Sequence, residues 1–295
     1  MINEEVVEKY LKAGSIASRV RREVESLIKP EVSLVKLAEV IEGRIRELGG
    51  QPAFPVNISI NEVAAHYTPT PGDQFTIPDS SIVKIDIGVH VDGYVADTAT
   101  TVTLNPAYEP LLESAEKALE SALKVVGNGV PVNYVGKVIE DSIRMRGFKP
   151  IRNLTGHSMD RFMIHSGVSI PNYNDYRARY KLVDGVYAIE PFATNGEGLV
   201  KDTPTVAIYS LRGAPKARDE LMKKLWETYR TLPFCLRWLS KTFESIDLAQ
   251  RTLRELMTHG RIHAYPVLVE ASRGLVSQYE HTVLINGREV IVTTI

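Results

Sequence analysis

The strongest constraint on how this chain folds is a period-two stretch from Ile82 to Val102. Ile82-Val83-Lys84-Ile85-Asp86-Ile87-Gly88-Val89-His90-Val91 meets Asp92-Gly93 and returns as Tyr94-Val95-Ala96-Asp97-Thr98-Ala99-Thr100-Thr101-Val102. Asp-Gly between two alternating runs signals a two-residue hairpin loop, because both central residues of the favoured turn need positive φ. That loop length sets the register: Val91 faces Tyr94, Gly88 faces Asp97 and Asp86 faces Ala99. Asp86 and Asp97 then share a face as diagonal neighbours, about 7–8 Å apart at the backbone, with Gly88 leaving a gap between them. The flanking Ile85, Ile87, Val89, Tyr94, Val95 and Ala96 are apolar, so the ribbon reads as buried on both faces. Two buried carboxylates repel each other and are costly to desolvate, so they call for a cation, a shared proton or a basic partner. An edge hairpin with both aspartates in water fits the same spacing, and a one-residue change in the loop would separate them.

Three further segments embed an ionisable residue in an apolar, strand-like stretch. Glu190 follows Val186-Tyr187-Ala188-Ile189, Glu280 lies within Val276 to Ile285, and His157 comes just after a strand-like Pro150–Leu154. Taken singly, each fits a half-buried polar residue with a hydrogen-bond partner. With Asp86 and Asp97 they make four carboxylates and one imidazole. Such a donor set is oxygen-rich and hard, with charge enough for two divalent ions that share a bridging carboxylate.

Around these strands the period is helical. Val6, Val7, Tyr10, Leu11, Ala13, Ala17 and Val20 predict a helix to about Ile28, and Ser33 can cap a second one through Leu48, stopped by Gly49-Gly50. Helical patterns recur near Glu109–Val126, Val132–Arg146, Lys216–Tyr229 and Ile246–Met257. Gly185–Glu190 and Pro204–Tyr209 bracket a Gly-rich turn and predict a second hairpin, and Gly274 to Thr294 returns to strand spacing. Helices and strands occurring twice in this order predict the α+β class: an internally duplicated antiparallel β-sheet core flanked by helices. With no Pro/Ser-rich linker, residues 1–295 read as one domain. Thirty-five Lys+Arg against 36 Asp+Glu leave a net charge of −1, which argues against a general nucleic-acid binder. The single Cys235 can form no internal disulfide, so a cytoplasmic setting is expected. Met1 to Lys12 lacks the pattern of a leader peptide, and no run of eighteen apolar residues offers a membrane span.

Asp86 and Asp97 with ten residues between them, then Gly156-His157, Glu190-Pro191 and Glu280-His281, resemble the five-ligand set of the methionine aminopeptidases and their pita-bread relatives. Pro52-Ala53-Phe54-Pro55, Asn61 to Pro69 and Ile164-His165-Ser166-Gly167 resemble the type-2 branch where it contacts substrate. The resemblance covers essentially the whole chain. It implies a pita-bread fold with the helical insertion of the type-2 subfamily, at about 212–260, and the absence of a long N-terminal extension resembles the compact archaeal form.

The resemblance also implies roles. Asp86 would bind one metal, His157 and Glu190 the other, with Asp97 and Glu280 bridging two divalent ions (Co, Mn, Fe(II), Zn or Ni). His165 would meet the scissile carbonyl oxygen, His66 the scissile nitrogen and the residue after methionine, and Glu190 would shuttle the proton. Phe54, Ile164 and Tyr265 would line the methionine pocket. The implied activity is removal of N-terminal methionine from nascent proteins and peptides with a small second residue. The implied partners are nascent N-termini near the ribosome, met by a monomer that binds neither membrane nor, stably, nucleic acid. His90, His259, His263 and His281 are left as structural or surface residues, His281 pointing away from the face of Glu280. The His66 segment itself reads as helix-like. Prolidase and aminopeptidase P resemble the same core but place a full domain before it, and only 85 residues precede Asp86. The alternatives are an X-Pro peptidase of this fold and a non-catalytic homologue that binds ribosomes or RNA, for which Arg177, Arg179 and Lys181 are only a local basic run.

Overall fold

Asn3 starts the first helix, Glu4–Glu25, its side chain accepting the Glu5 backbone N–H, while Glu4 and Glu5 lie at the positive end of the helix dipole. The apolar stripe Ala13, Ala17, Val20 and Val24 packs with Leu37, Ile41 and Ile45 of the second helix, Leu34–Glu47, onto Ile85, Ile87, Val89 and Ala96 of the hairpin. A second pair, Glu109–Leu123 and Val132–Met145, buries Leu119, Val135 and Ile139 against Tyr187, Ile189, Val283 and Ile285 in the same manner. Each half is thus a helix pair backing antiparallel strands, the α+β duplication expected from the period changes. The structure, a computed structural model, describes residues 2–215, 220–243 and 245–295.

The hairpin adopts the expected register. Ile82–Val91 and Tyr94–Thr103 pair with Gly88 opposite Asp97 and Asp86 opposite Ala99, and Asp92 and Gly93 turn at φ 53° and 88°. It is no edge ribbon. Asn57–Ile60 and Gln51–Pro52 pair along the outer edge of Ile82–Val91, and Asp97 is buried inside the molecule.

The second hairpin does not form. Gly185–Ile189 pairs with Thr155–Met159 and His281–Asn286, whereas Val200–Leu211 pairs with Ile262–Glu270 in another sheet. Pro191 lacks an N–H and interrupts the first strand. The Gly-rich turn after it is held instead by Glu270, whose buried carboxylate accepts the backbone N–H groups of Glu197 and Gly198 at 2.5 and 3.0 Å. The two halves meet where Ala99 and Glu280 exchange backbone hydrogen bonds of 3.3 and 3.1 Å. Helices Glu220–Tyr229, Leu236–Thr242 and Ile246–Thr258 cluster on Tyr209, Phe234 and Ile262; the expected start at Lys216 lies outside the described residues. Among the described residues no helix is long and apolar enough to cross a membrane.

Candidate metal centre

Five separate pieces of backbone deliver the five donors. Asp86 and Asp97 come from the two hairpin strands, His157 from Thr155–Met159, Glu190 from the position after Gly185–Ile189, and Glu280 from the joint between Val276–Gln278 and His281–Asn286. His157 belongs to a strand that starts at Thr155, where a strand ending at Leu154 was expected. Their backbones are tied together. Thr98 Oγ1 donates to the Glu280 carbonyl at 2.8 Å, and Thr282 Oγ1 accepts from Asp97 N and donates to Asp97 O, both at 2.7 Å. Buried Lys84 joins the Asp86 strand to Val276, its Nζ donating to the Asn61 and Val276 carbonyls at 2.9 Å each.

All five donors line one cavity of about 300 Å³. His157 Nε2 lies 3.4 Å from Glu190 Oε1 and 3.7 Å from Asp97 Oδ2. Ligand atoms of Asp97, His157 and Glu280 all fall within 4.8 Å of one another. Asp97, His157 and Glu280 are buried, and Asp86 and Glu190 keep a little accessible surface where the cavity reaches them. Asp86 Oδ1, Asp97 Oδ1, Glu280 Oε1 and His157 Nδ1 are buried with no hydrogen-bond partner. A protein fold does not retain three orphaned carboxylate oxygens side by side for stability, since each carries its full desolvation penalty. Hard cations answer that penalty, and the residues present fit them.

Protonation tells the same story. Burial pushes the Asp86 carboxyl up to about 7, against hydrogen bonds from Asp97 and Gln278 that favour its charged form. Asp97 is raised well above the usual range by burial and then by the charges of Asp86 and Glu190. Glu280 is raised by burial and by Asp97, Glu190 and Asp86, and Glu190 by burial and Asp86. His157 is held neutral by burial and then by His165. Without a cation these four acids cannot all ionise.

The remaining expected residues share the cavity. Phe54, His66, Ile164, His165 and Tyr265 all line it. The His165 ring packs edge-on against His157 at 4.4 Å, and Tyr265 bridges His66 at 5.7 Å and His165 at 6.4 Å between ring centres. Burial lowers His165 to about 4, helped by His66 and His263, so it carries one N–H as a neutral imidazole. The gap at Gly88 is filled: a Cβ there would lie 2.2 Å from the Phe54 ring, so glycine lets this pocket wall press against the aspartate ribbon.

The helix-like expectation for the His66 segment fails. Val63–Ala65 is a strand paired with Ile262–Glu270, and His66 turns at φ 65° with Nδ1 3.2 Å from the Pro266 carbonyl. The small apolar Ala64 and Ala65 are good helix formers, but burial beside Leu268 overrides propensity. His263 lies on the strand Ile262–Glu270, its ring 4.6 Å from Tyr265. His281 keeps away from the cavity, with Nδ1 2.8 Å from Thr294 Oγ1. Gln278 was missed, although it stands two residues from Glu280 in an extended segment and therefore on the same face.

Comparison with known proteins agrees with this geometry. The sequence profile of the metallopeptidase family M24 matches residues 8–286. A methionine aminopeptidase of Pyrococcus abyssi is 50% identical over 293 residues, 98% of this chain and 99% of that one. Among solved structures, a methionine aminopeptidase from Thermotoga maritima aligns with a TM-score of 0.72 at 20% identity, covering 99% of this chain and 98% of that one. A thermophilic Arx1 aligns at 0.86 with 17% identity, covering 99% and 91%; at such identities the two structures speak for the shared pita-bread fold alone. With its buried acids and imidazole gathered on one cavity, and with the family profile matched over residues 8–286, the chain belongs to metallopeptidase family M24.

Proposed function

We propose that this peptidase is a methionine aminopeptidase of the type-2 branch in its compact form, working with two divalent ions. The observation that carries the proposal is the single cavity in which orphaned carboxylate oxygens meet a narrow apolar wall of Phe54, Ile164 and Tyr265. The near-identical length and 50% identity of the Pyrococcus abyssi enzyme support the same reading. The 89 residues between Glu190 and Glu280, which carry three helices among the described residues, support the type-2 insertion at 212–260 within one catalytic unit.

Asp86 would hold one ion, His157 and Glu190 the other, and Asp97 and Glu280 both. The ions, when bound, supply a water acidic enough to ionise near neutral pH and Lewis acidity for the scissile carbonyl. Phe54, Ile164 and Tyr265 receive the methionine side chain and exclude water from it. His165, neutral and with one N–H to give, donates to the carbonyl oxygen as charge develops there. Glu190 takes the proton of the attacking water and passes it to the leaving nitrogen. His66, fixed by Pro266, stands beside that nitrogen and limits the size of the second residue.

The test is to strip the protein with EDTA, restore manganese or cobalt, and assay Met-Ala-Ser beside Leu-Ala-Ser and an X-Pro peptide. Metal-dependent release of methionine with little leucine is expected. No release with either metal, or preferential X-Pro cleavage, overturns the proposal. His165→Ala should lower kcat by about 10²–10³, the cost of one oxyanion donor, while bound metal measured by elemental analysis stays at the parent level. A matching loss of metal would instead make His165 a ligand.

A further inference from the structure

One wall of the catalytic cavity is a two-stranded ladder, Val200–Leu211 against Ile262–Glu270, in which Ile208 pairs with Tyr265 and both line the cavity. Side chains alternate along a strand, so the next pair on that face is Ser210 opposite His263, about 7 Å further along. The other face, with Tyr209 and Ala264, packs on the insertion helices. Exposure rises along the strand in the same direction: Leu268 is buried, Tyr265 half-buried and His263 exposed. The ladder therefore runs from the cavity to solvent, and His263 stands at the mouth.

The His263 ring is held in place with its nitrogens free. It packs edge-on to Tyr265, whose hydroxyl shares a 3.1 Å hydrogen bond with Ser210 Oγ. Among the described residues no hydrogen bond is made by the His263 ring nitrogens. The two ring steps, 4.6 Å to Tyr265 and 5.7 Å on to His66, put His263 within about 10 Å of the histidine assigned to the scissile nitrogen. An extended peptide advances about 3.3 Å per residue. A substrate whose amino end is held deep in the cavity leaves past the exposed end of this wall and meets His263 with its third residue. A peptidase that trims unlike N-termini can grip that residue only through the main chain, and an imidazole offers at least one N–H in either protonation state.

We propose that His263 forms a subsite for the third residue of the substrate, its imidazole N–H donating to the main-chain carbonyl oxygen of that residue. The proposal rests on the aminopeptidase reading above and extends it past the second residue. Because this contact lies away from the reacting bond and is made alike before and in the transition state, it acts on KM rather than on kcat.

Met-Ala-Gly amide and Met-Ala propylamide have tails of equal length, and only the first has a third carbonyl. With cobalt restored, the parent should favour the first by about 3–10-fold in kcat/KM, the worth of one hydrogen bond. His263→Phe keeps a ring against Tyr265 and removes the donor, so this ratio should fall to near one through a higher KM for the first peptide. His263→Gln, which carries an N–H on a side chain of similar reach, should recover part of the preference. A ratio that stays at the parent value in His263→Phe overturns the subsite; equal losses on both peptides would give that result and show that His263 acts only through Tyr265. A ratio that falls through kcat alone overturns it as well. Should His263→Phe fail to fold, His263→Ala beside His263→Gln reads the same ratio. An active parent without the preference overturns the subsite alone, whereas a parent that cleaves neither peptide overturns the aminopeptidase reading and the subsite with it.

Discussion

Asp97→Asn should abolish methionine release, by a factor of about 10³ or more in kcat/KM, and at the same time yield a metal-free protein more stable than the metal-free parent. A thousandfold loss corresponds to about 4 kcal/mol of transition-state stabilisation, a modest demand for a side chain assigned to both ions. The gain in stability has a separate cause. Asp97 is buried, its Oδ1 has no partner, and its charge raises Glu280 while the charges of Asp86 and Glu190 raise it. The amide keeps the shape and removes the charge.

The sign of the pH dependence follows. Folding raises these carboxyls, Asp86 from 3.8 to about 7 and Asp97 well above 3.8. The folded apo protein therefore binds more protons than the unfolded chain above pH 4, and each acid subtracts stability as the pH rises through its folded pKa. Lys84, lowered to about 7, and His90, lowered to about 4, bend the curve the other way, but they are present in parent and variant alike and cancel in the comparison. In EDTA the variant's advantage should thus be absent below pH 4, reach the order of 1 kcal/mol near pH 5, and grow to about 2 kcal/mol or more, roughly 5 °C at least, by pH 8. Adding cobalt should reverse the ranking, since binding stabilises only a competent site and releases protons. Calorimetric melting at both pH values, with and without cobalt, decides it. A variant less stable than the parent in EDTA at pH 8 would mean that the acids are not mutually strained.

How much of this was legible in the sequence depended on the range of the interaction. The aspartate ribbon was readable to the residue because Asp92-Gly93 fixes parity locally, and the observed pairs Gly88/Asp97 and Asp86/Ala99 follow from counting. Helix ends were nearly as readable: Glu109–Leu123 and Val132–Met145 stop within a few residues of their patterns. Ser33 takes the cap position but makes no side-chain cap bond. Pairings across the chain were not readable. Nothing in the period of Gly185–Ile189 tells that its partners are Thr155–Met159 and His281–Asn286, nor that Ala99 meets Glu280, 181 residues away. The candidate donors could be picked out as charges in apolar runs, but their convergence on one cavity depends on those distant pairings. The Phe54 ring beside Gly88 and the amide of Gln278 on Glu280 are packing facts of the same kind, set by volume and direction that sequence spacing alone does not carry.

The largest stability effect should come from a different buried charge. Glu42 on Leu34–Glu47 is 2% exposed and accepts Arg237 Nη1 at 2.6 Å, Arg237 Nη2 at 2.8 Å and Trp238 Nε1 at 2.8 Å, with the Val56 backbone N–H at 3.4 Å. Arg237, 3% exposed, also reaches Thr68 Oγ1 and the Pro69 carbonyl at 3.3 Å each. Arg237→Met leaves the Glu42 carboxylate buried without its counter-ion, which should cost about 3–5 kcal/mol, a fall of roughly 10 °C in melting temperature. Glu42→Leu strands the guanidinium and should cost as much. The double variant should not add these losses, because each single loss is mainly the penalty of the charge left behind. It should recover to within about 1–3 kcal/mol of the parent, the remainder reflecting the Trp238 and Val56 N–H groups that lose their acceptor. The pair also bears on the site. Arg237 grips Thr68 and Pro69 just beyond His66, and its helix follows Pro233, which lines the catalytic cavity. The single variants should therefore raise KM for Met-Ala-Ser more than they lower metal content. Additive losses in the double variant would show that Glu42 and Arg237 act independently, and the link between the insertion and the His66 wall would have to be sought elsewhere.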